Sequence, residues 1–301
     1  MELRLLRYFL AVAREQGISK AAESLHVTQP TLSRQIMDLE KELGAKLLER
    51  SKNGKGVKLT NAGTLLYERA EDIISLSEKT VKEFNSLSEG EIIGDISIAC
   101  AESKNISFLA ECIKSLKRKC PKIQFHLYAG DSERALEKLD NGLFDFAVIV
   151  ENVNLKKYNC LTPRALDRWG AVMRKDSTLA QKRFIAPKDL LGLPILVSRQ
   201  ALAADLPKWF GDDIEKLNIA ATLDLSYNGT VLVQNGIGCL LTFDGLANTG
   251  PDSQLCFRPL KPELTTEMHV VWRRKQQFTP AAEAFLNEMM AANFHRSGKK
   301  R

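Results

Sequence analysis

The 301-residue sequence predicts an α+β multidomain chain: a winged helix-turn-helix at the front, one long linker helix, then an α/β domain. Three observations carry this. Residues 19–43, SKAAESLHVTQPTLSRQIMDLEKEL, read as two short helices with a tight join, the second opening on a polar turn. Small and apolar residues recur at heptad spacing after residue 60. Beyond residue 90, strand-like runs alternate with amphipathic segments, the order of a sheet covered by helices. The length suits two or three domains, and 44% hydrophobic residues can fill their cores.

In chain order, Leu3–Glu15 is a first helix with Leu6, Phe9, Leu10 and Ala13 on one face, ended by Gly17. Ala21 and Ala22 let the next helix press close, and His26-Val27 is the turn. In the second helix of the pair, Leu32, Ile36, Leu39 and Leu43 share a buried face. Thr28 is placed as its N-cap and Pro30 sits in the first turn, where a missing N–H costs little. Gln29, Thr31, Ser33 and Arg34 then form the opposite face. They are hydrogen-bonding side chains at the helix end that meets base edges in a helix-turn-helix, Gln reading adenine and Arg reading guanine or clamping phosphate. Any compact helical hairpin is the plainer reading, which the polar opening turn disfavours.

Leu47–Arg50 and Val57–Thr60 bracket a Gly- and Lys-rich tip and read as a β-hairpin wing. Lys46, Arg50, Lys52, Lys55 and Lys58 face Glu49 alone, so this run carries most of the chain's net charge of +6. Such a run beside a helix-turn-helix is the footprint of phosphate contact, with Arg50, Lys52 and Lys55 as the wing's candidates. From Asn61 the linker helix carries Leu66, Ile73, Thr80 and Leu87 in one row and Ala70, Ser77 and Phe84 in a second. These are the seam rows of a short, imperfect coiled coil. Dimerisation is the favoured reading, since operators are commonly palindromic; packing on its own domain is the alternative.

Ser88-Glu89-Gly90 reads as a boundary. Strands are expected at 92–100, 123–129, 144–150, 169–173, 194–197, 219–223, 239–243 and 268–272, with helices at 106–119, 132–139, 202–210, 229–234 and 279–293. The order favours a parallel sheet covered by helices. Six scattered cysteines without C-x-x-C read as free thiols in a reducing compartment. The N-terminus lacks the apolar core of a signal peptide, and no run has the length of a membrane span, so a cytoplasmic location without membrane contact is expected. Four dispersed histidines show no metal-ligand spacing, and no G-x-S-x-G, P-loop or G-x-G-x-x-G is present; the reading is not an enzyme, with no catalytic or metal site.

Arg7–Ala13, Ser19–Ala22, Leu25, Thr28–Ser33, Ile36, Leu39-Glu40, Leu43-Gly44, Leu47-Leu48, Arg50 and Leu59–Gly63 resemble the N-terminal domain of LysR-type transcriptional regulators, almost unbroken over residues 3–63. Val233–Gly238 and the βα order extend the likeness more loosely. The family usually has Phe where this chain has Leu48, and a shorter wing than one that includes Lys52-Asn53-Gly54. The resemblance implies a winged helix-turn-helix over 1–60, a dimerising linker over 61–90, and a two-lobed effector domain of the periplasmic-binding-protein type over 91–301. Lobe I is then 91–162 with 268–301, and lobe II is 163–267, with crossings near Pro163 and Thr266. It also places Gln29, Pro30 and Ser33 at bases and Arg34 close to the backbone. The implied partners are double-stranded operator DNA, a small-molecule effector of unknown identity, and further copies of the chain in a homodimer or homotetramer. RNA polymerase stays open as another partner, and no cofactor is expected.

In a two-lobed sheet domain, ligands bind at strand ends facing helix N-termini, where free N–H groups favour anions. Four turns qualify: Ala101-Glu102-Ser103-Lys104-Asn105, Gly130-Asp131-Ser132, Ser198-Arg199-Gln200, and Tyr227-Asn228-Gly229-Thr230. Ser103, Ser198 and Thr230 could donate to a carboxylate, and Lys104 or Arg199 could pair with one. Glu102 and Asp131 argue instead for a cationic or amphoteric ligand. Plain helix capping is the competing reading of each serine. A solute-binding or sensor protein of the same two-lobed fold, without a regulatory role, is the alternative function; it leaves residues 1–63 unexplained.

Overall fold

The computed structural model describes residues 1–50, 56–86, 92–130, 132–150 and 154–298. The chain divides into two compact units, Met1–Ser88 and Glu89–Arg301. Lys52, Lys55, Leu87, Asp131 and the expected boundary at 88–90 lie outside the described residues, and of Arg50 only the backbone is described.

The first unit packs α1 (Leu3–Glu15), α2 (Ile18–Ser24) and α3 (Gln29–Leu43) around Phe9, Val12, Ala21, Leu32, Ile36 and Leu39. The wing follows as β1 (Leu48–Arg50) antiparallel to β2 (Val57–Leu59), and α4 (Asn61–Ser86) closes the unit. α1 ends one residue before Gly17, at a left-handed Gln16 (φ 50°), whose carbonyl accepts from Val57 N at 2.9 Å and ties the helix to the wing. His26 is left-handed too (φ 55°) and forms the turn of the helical pair. Gly44 caps α3 in the left-handed region (φ 66°), where a Cβ is strained. Gly63 is needed for contact: a Cβ there would stand 2.0 Å from the Leu47 carbonyl oxygen.

Two expectations fail in this unit. Leu43, assigned to the buried face of α3, is 41% exposed at the helix's last residue. Ala70, assigned to the coiled-coil seam, is fully buried against Leu6 and Leu10 of α1. The front half of α4 thus packs on its own unit, while Ile73, Leu76, Val81 and Phe84 stay exposed farther along.

The second unit holds two sheets. β3 (Gly94–Cys100), β4 (Ile123–Ala129), β5 (Phe146–Ile149), β6 (Tyr158–Leu161) and β13 (His269–Arg273) form one, in the order β4-β3-β5-β13-β6. α5 (Ser107–Lys119), α6 (Ser132–Asp140) and α10 (Pro280–Gly298) accompany it. The other sheet runs β11-β7-β10-β8-β9, from β7 (Leu166–Arg174), β8 (Pro194–Ser198), β9 (Asn218–Leu223), β10 (Cys239–Phe243) and β11 (Leu255–Pro259), with β12 (Thr265–Glu267) on β7. Its helices are α7 (Arg199–Ala203), α8 (Leu206–Phe210) and α9 (Ser226–Gln234). Both sheets are mixed rather than purely parallel. β3 runs parallel to β4 and β5, and β8 parallel to β9 and β10, but β13 and β7 run antiparallel to their neighbours. The antiparallel members are the strands that follow or precede a change of sheet.

The single helix expected over 202–210 is two short ones, because Pro207 cannot supply an N–H to a continuous ladder and instead sits in the opening turn of α8. Strands β6, β11 and β12 had no clear alternation in the sequence. At the change of sheet, Leu166–Arg168 pairs with Thr265–Glu267, so the two connecting segments lie side by side, antiparallel. Trp169 Nε1 donates to Thr266 Oγ1 across them at 2.9 Å.

Candidate nucleic-acid interface and interlobe cleft

The opening turn of α3 is exposed. Thr28 Oγ1 accepts from Thr31 N at 3.4 Å and meets Thr31 Oγ1 at 2.8 Å, which fixes the start of the helix. Gln29, Pro30, Thr31 and Arg34 face outward and Ser33 is half-buried, while Leu32, Ile36 and Leu39 anchor the opposite face. Arg34 makes no ion pair among the described residues. Its guanidinium is therefore available to a phosphate or a base edge.

Behind this turn lies a feature that sequence reading missed. Glu40, only 8% exposed, accepts from Leu47 N at 2.9 Å and Leu48 N at 3.3 Å, and pairs with Lys46 Nζ at 2.7 Å. Burial pushes its pKa up, but the lysine and the two backbone donors outweigh that and hold it below the usual value. This carboxylate locks the first wing strand to the back of α3. Only the order of the elements, a helix followed closely by a strand, pointed to it.

In the second unit a cavity of about 80 Å³ lies between the two sheets. Of the expected effector residues, Glu102 and Ser198 border it. Glu102 reaches from the end of β3 to the start of α9, where Oε2 accepts from Ser226 N at 2.6 Å. It thereby supplies a cap that α9 lacks from its own side chains. Ser198 Oγ accepts from Ala201 N at 3.1 Å and caps α7.

The other candidates stand back from the cavity. Ser103 Oγ donates to Asp167 Oδ2 at 2.6 Å, and Lys104 Nζ pairs with Asp244 at 2.6 Å, so the 102–104 turn grips the other lobe at three points. Arg199 pairs with Asp224 at 2.7 Å. Thr230 Oγ1 donates to the Tyr227 carbonyl at 2.7 Å, Asn228 is exposed, and Ser132 is buried at the start of α6. Asp131 lies outside the described residues.

Ala101, Gly130 and Gln200 of the expected turns also line the cavity, whereas sequence reading missed Trp169, Asp205, Ser226, Thr242 and Phe243 on its wall. Trp169 and Phe243 meet edge to face, with ring centroids 4.5 Å apart. Asp205 is 6% exposed, and burial raises its pKa, opposed only by Lys208. No local pattern marks these positions, because they converge from β7, β10, the start of α9 and the loop before α8. Among the described residues no cluster of His, Cys, Asp and Glu could hold a metal, and no helix is long and apolar enough to cross a membrane.

Two family models match. Residues 3–64 match the bacterial regulatory helix-turn-helix protein, lysR family, and residues 89–293 match the LysR substrate binding domain. The regulator BsdA of Bacillus subtilis is 36% identical over 152 residues, 49% of this chain and 50% of BsdA, so the match spans half of that relative. The regulator YtlI of Bacillus subtilis is 29% identical over 83% of this chain and 80% of its own. The crystal structure of CbnR, a LysR family transcriptional regulator, superposes with a TM-score of 0.77 at 19% identity, covering 97% of this chain and 99% of CbnR. CbnR has also been solved with its target DNA, and that structure aligns with a TM-score of 0.75 at 19% identity, over 97% of this chain and 100% of CbnR. At that identity the likeness to CbnR shows the fold.

Proposed function

Because the chain belongs to the LysR-type transcriptional regulators, DNA-binding proteins that carry an effector domain, we propose that it reads a specific operator through the opening turn of α3, under control of a small molecule held between its lobes. The observation that carries this is the turn itself: Gln29, Pro30, Thr31 and Arg34 stand outward on a helix whose other face is anchored in the core. A helix so presented fits the major groove. CbnR, with the same fold, has been solved on its target DNA. In this reading 1–60 binds DNA, 61–90 links and pairs protomers, and 91–301 senses the effector. The exposed Ile73, Leu76, Val81 and Phe84 on α4 support pairing of two copies. The regulator works in the cytoplasm and uses no cofactor besides its effector. A solute-binding or sensor role would leave the first unit without a task.

The test is selection of sheared genomic DNA on immobilised full-length protein. Wild type is expected to enrich a small set of fragments sharing one motif, and Arg34→Ala to lose most of that enrichment. Equal enrichment by both, or none by wild type, would overturn the reading.

A further inference from the structure

The chemistry of the cavity names a ligand class. Resting on the reading of the cleft as the effector site, we propose that it takes an ammonium-bearing ligand, with Asp205 as the counter-charge and Trp169 and Phe243 as the aromatic wall. Asp205 stands in the loop just before α8, where an aspartate could cap the helix, yet it makes no such bond. Among the described residues its carboxylate has no hydrogen-bond or ion-pair partner, although 94% of its surface is covered. A largely covered carboxylate without a protein partner is costly to keep, and this one borders a space where a partner could enter.

The other charges of the wall point the same way. Among the described residues Glu102 and Asp224 are the other ionisable groups bordering the cavity, and no Lys or Arg borders it. Glu102 occupies the N-terminus of α9, the position an anionic ligand would seek. Ser198 is spent on capping α7, and the Ser226 hydroxyl is bonded to Thr242 Oγ1 at 2.9 Å. Of the nearby cations, Lys104 pairs with Asp244 and Arg199 with Asp224, while Lys208 acts on Asp205 only at a distance, without an ion pair to it, and does not border the cavity. An incoming carboxylate would meet acidic groups and occupied donors. An ammonium would find a carboxylate without a direct partner among the described residues and two aromatic side chains on the same wall.

Size limits the group. About 80 Å³ holds a few non-hydrogen atoms, well short of a drug-sized ligand. A larger recess of about 360 Å³ adjoins it, sharing Gly130, Asp224 and Leu225 as wall; Tyr128 and Phe144 border it, as do Arg134 and Lys138, which set the recess apart from the acidic cavity and disfavour a second positive charge on the ligand's far end. The geometry therefore fits a primary amine whose charged end sits in the cavity and whose apolar tail extends into the recess.

The experiment is thermal melting of the full-length protein with butylammonium chloride, against sodium butyrate and sodium chloride at equal ionic strength. Butylammonium is expected to raise the Tm saturably, by a few degrees, and butyrate to do no more than sodium chloride. Asp205→Asn keeps the shape and loses the charge, and is expected to abolish the butylammonium shift while still melting cooperatively. Asp205→Ser serves as the second variant if the first does not fold. A saturable shift with butyrate, no saturable shift with butylammonium, or an equal butylammonium shift in a folded Asp205 variant would each overturn the proposal. A protein that selects DNA motifs yet ignores butylammonium loses this inference alone. One that selects no DNA loses the regulatory reading itself.

Discussion

Glu40 in the first unit and Asp205 in the second are almost equally buried, at 8% and 6% exposure, in opposite surroundings. Glu40 collects two backbone N–H groups and a lysine; Asp205 collects no bond among the described residues. Burial disfavours the charged form of both, yet one pKa ends below its ordinary value and the other above it. The difference separates two uses of a buried charge. Where donors converge on it, the charge joins pieces of structure, here the wing and α3. Where it faces a cavity without donors, its cost persists until something enters, which is how binding sites commonly look.

The sharpest way to break this contrast is to remove each carboxylate. Glu40→Ala orphans the N–H groups of Leu47 and Leu48 and is expected to cost about 3 kcal/mol of the first unit's stability. Urea unfolding followed by far-ultraviolet circular dichroism reads it, and a loss under about 1 kcal/mol would show that the lock is ornamental. The loss should also depend on pH. A folded pKa held low contributes stability that is present above the unfolded glutamate value and disappears as pH falls through the folded one. Wild type and variant should therefore converge in acid.

Arg34→Ala comes next, because removing an exposed cation without an ion pair among the described residues should leave the fold intact and report on DNA alone. Operator affinity should fall roughly tenfold, within the range of a lost base or phosphate contact, while stability stays within about 0.5 kcal/mol. Titrating the gel shift with salt sharpens the assignment. If Arg34 holds a phosphate, the log–log slope should flatten by about 0.9, and if it reads a base the slope should not move.

The smallest effect carries the opposite sign. Asp205→Asn should stabilise the second unit near neutral pH by about 1 kcal/mol, since it removes an uncompensated buried charge. Here the folded pKa is raised, so the native state holds the proton more tightly. The wild type's stability is fullest below the unfolded aspartate value and declines as pH rises through the folded one. The variant's advantage should thus vanish in acid, where Glu40→Ala also ceases to matter. Tryptophan fluorescence reports on this unit, which contains all three tryptophans, and a destabilised variant at neutral pH would mean that Asp205 has a structural partner.

The exposed opening turn of α3 was legible in advance, and the cavity wall only in part: three of the four expected turns border it, but not its aromatic and buried acidic members. Thr28, Pro30, Leu32, Ile36 and Leu39 act within one helix, so spacing and capping alone located the turn that Arg34 stands on. Even there, spacing went too far: Leu43 has the right period but no neighbour to cover it. Ala70 shows the converse. Its heptad position is compatible with a partner chain, yet α1 of the same unit already fills that face. In the cleft, Ser198 and Thr230 matched strand–helix junctions and turned out to bond locally, whereas Asp205, Trp169 and Phe243 sit far apart in sequence and meet through the crossing of two sheets.

The sequence by itself determined the helix-turn-helix with its outward polar turn, the hairpin after it, and the alternation of strands and helices behind, because each follows from side-chain period, capping and turn chemistry over a few residues. Only the tertiary structure decided which junctions face the cavity, that Glu102 occupies the start of α9, and that the Asp205 carboxylate has no partner among the described residues. Those outcomes depend on which segments the sheets bring within hydrogen-bonding reach, and that distance is not encoded in the spacing of residues along the chain.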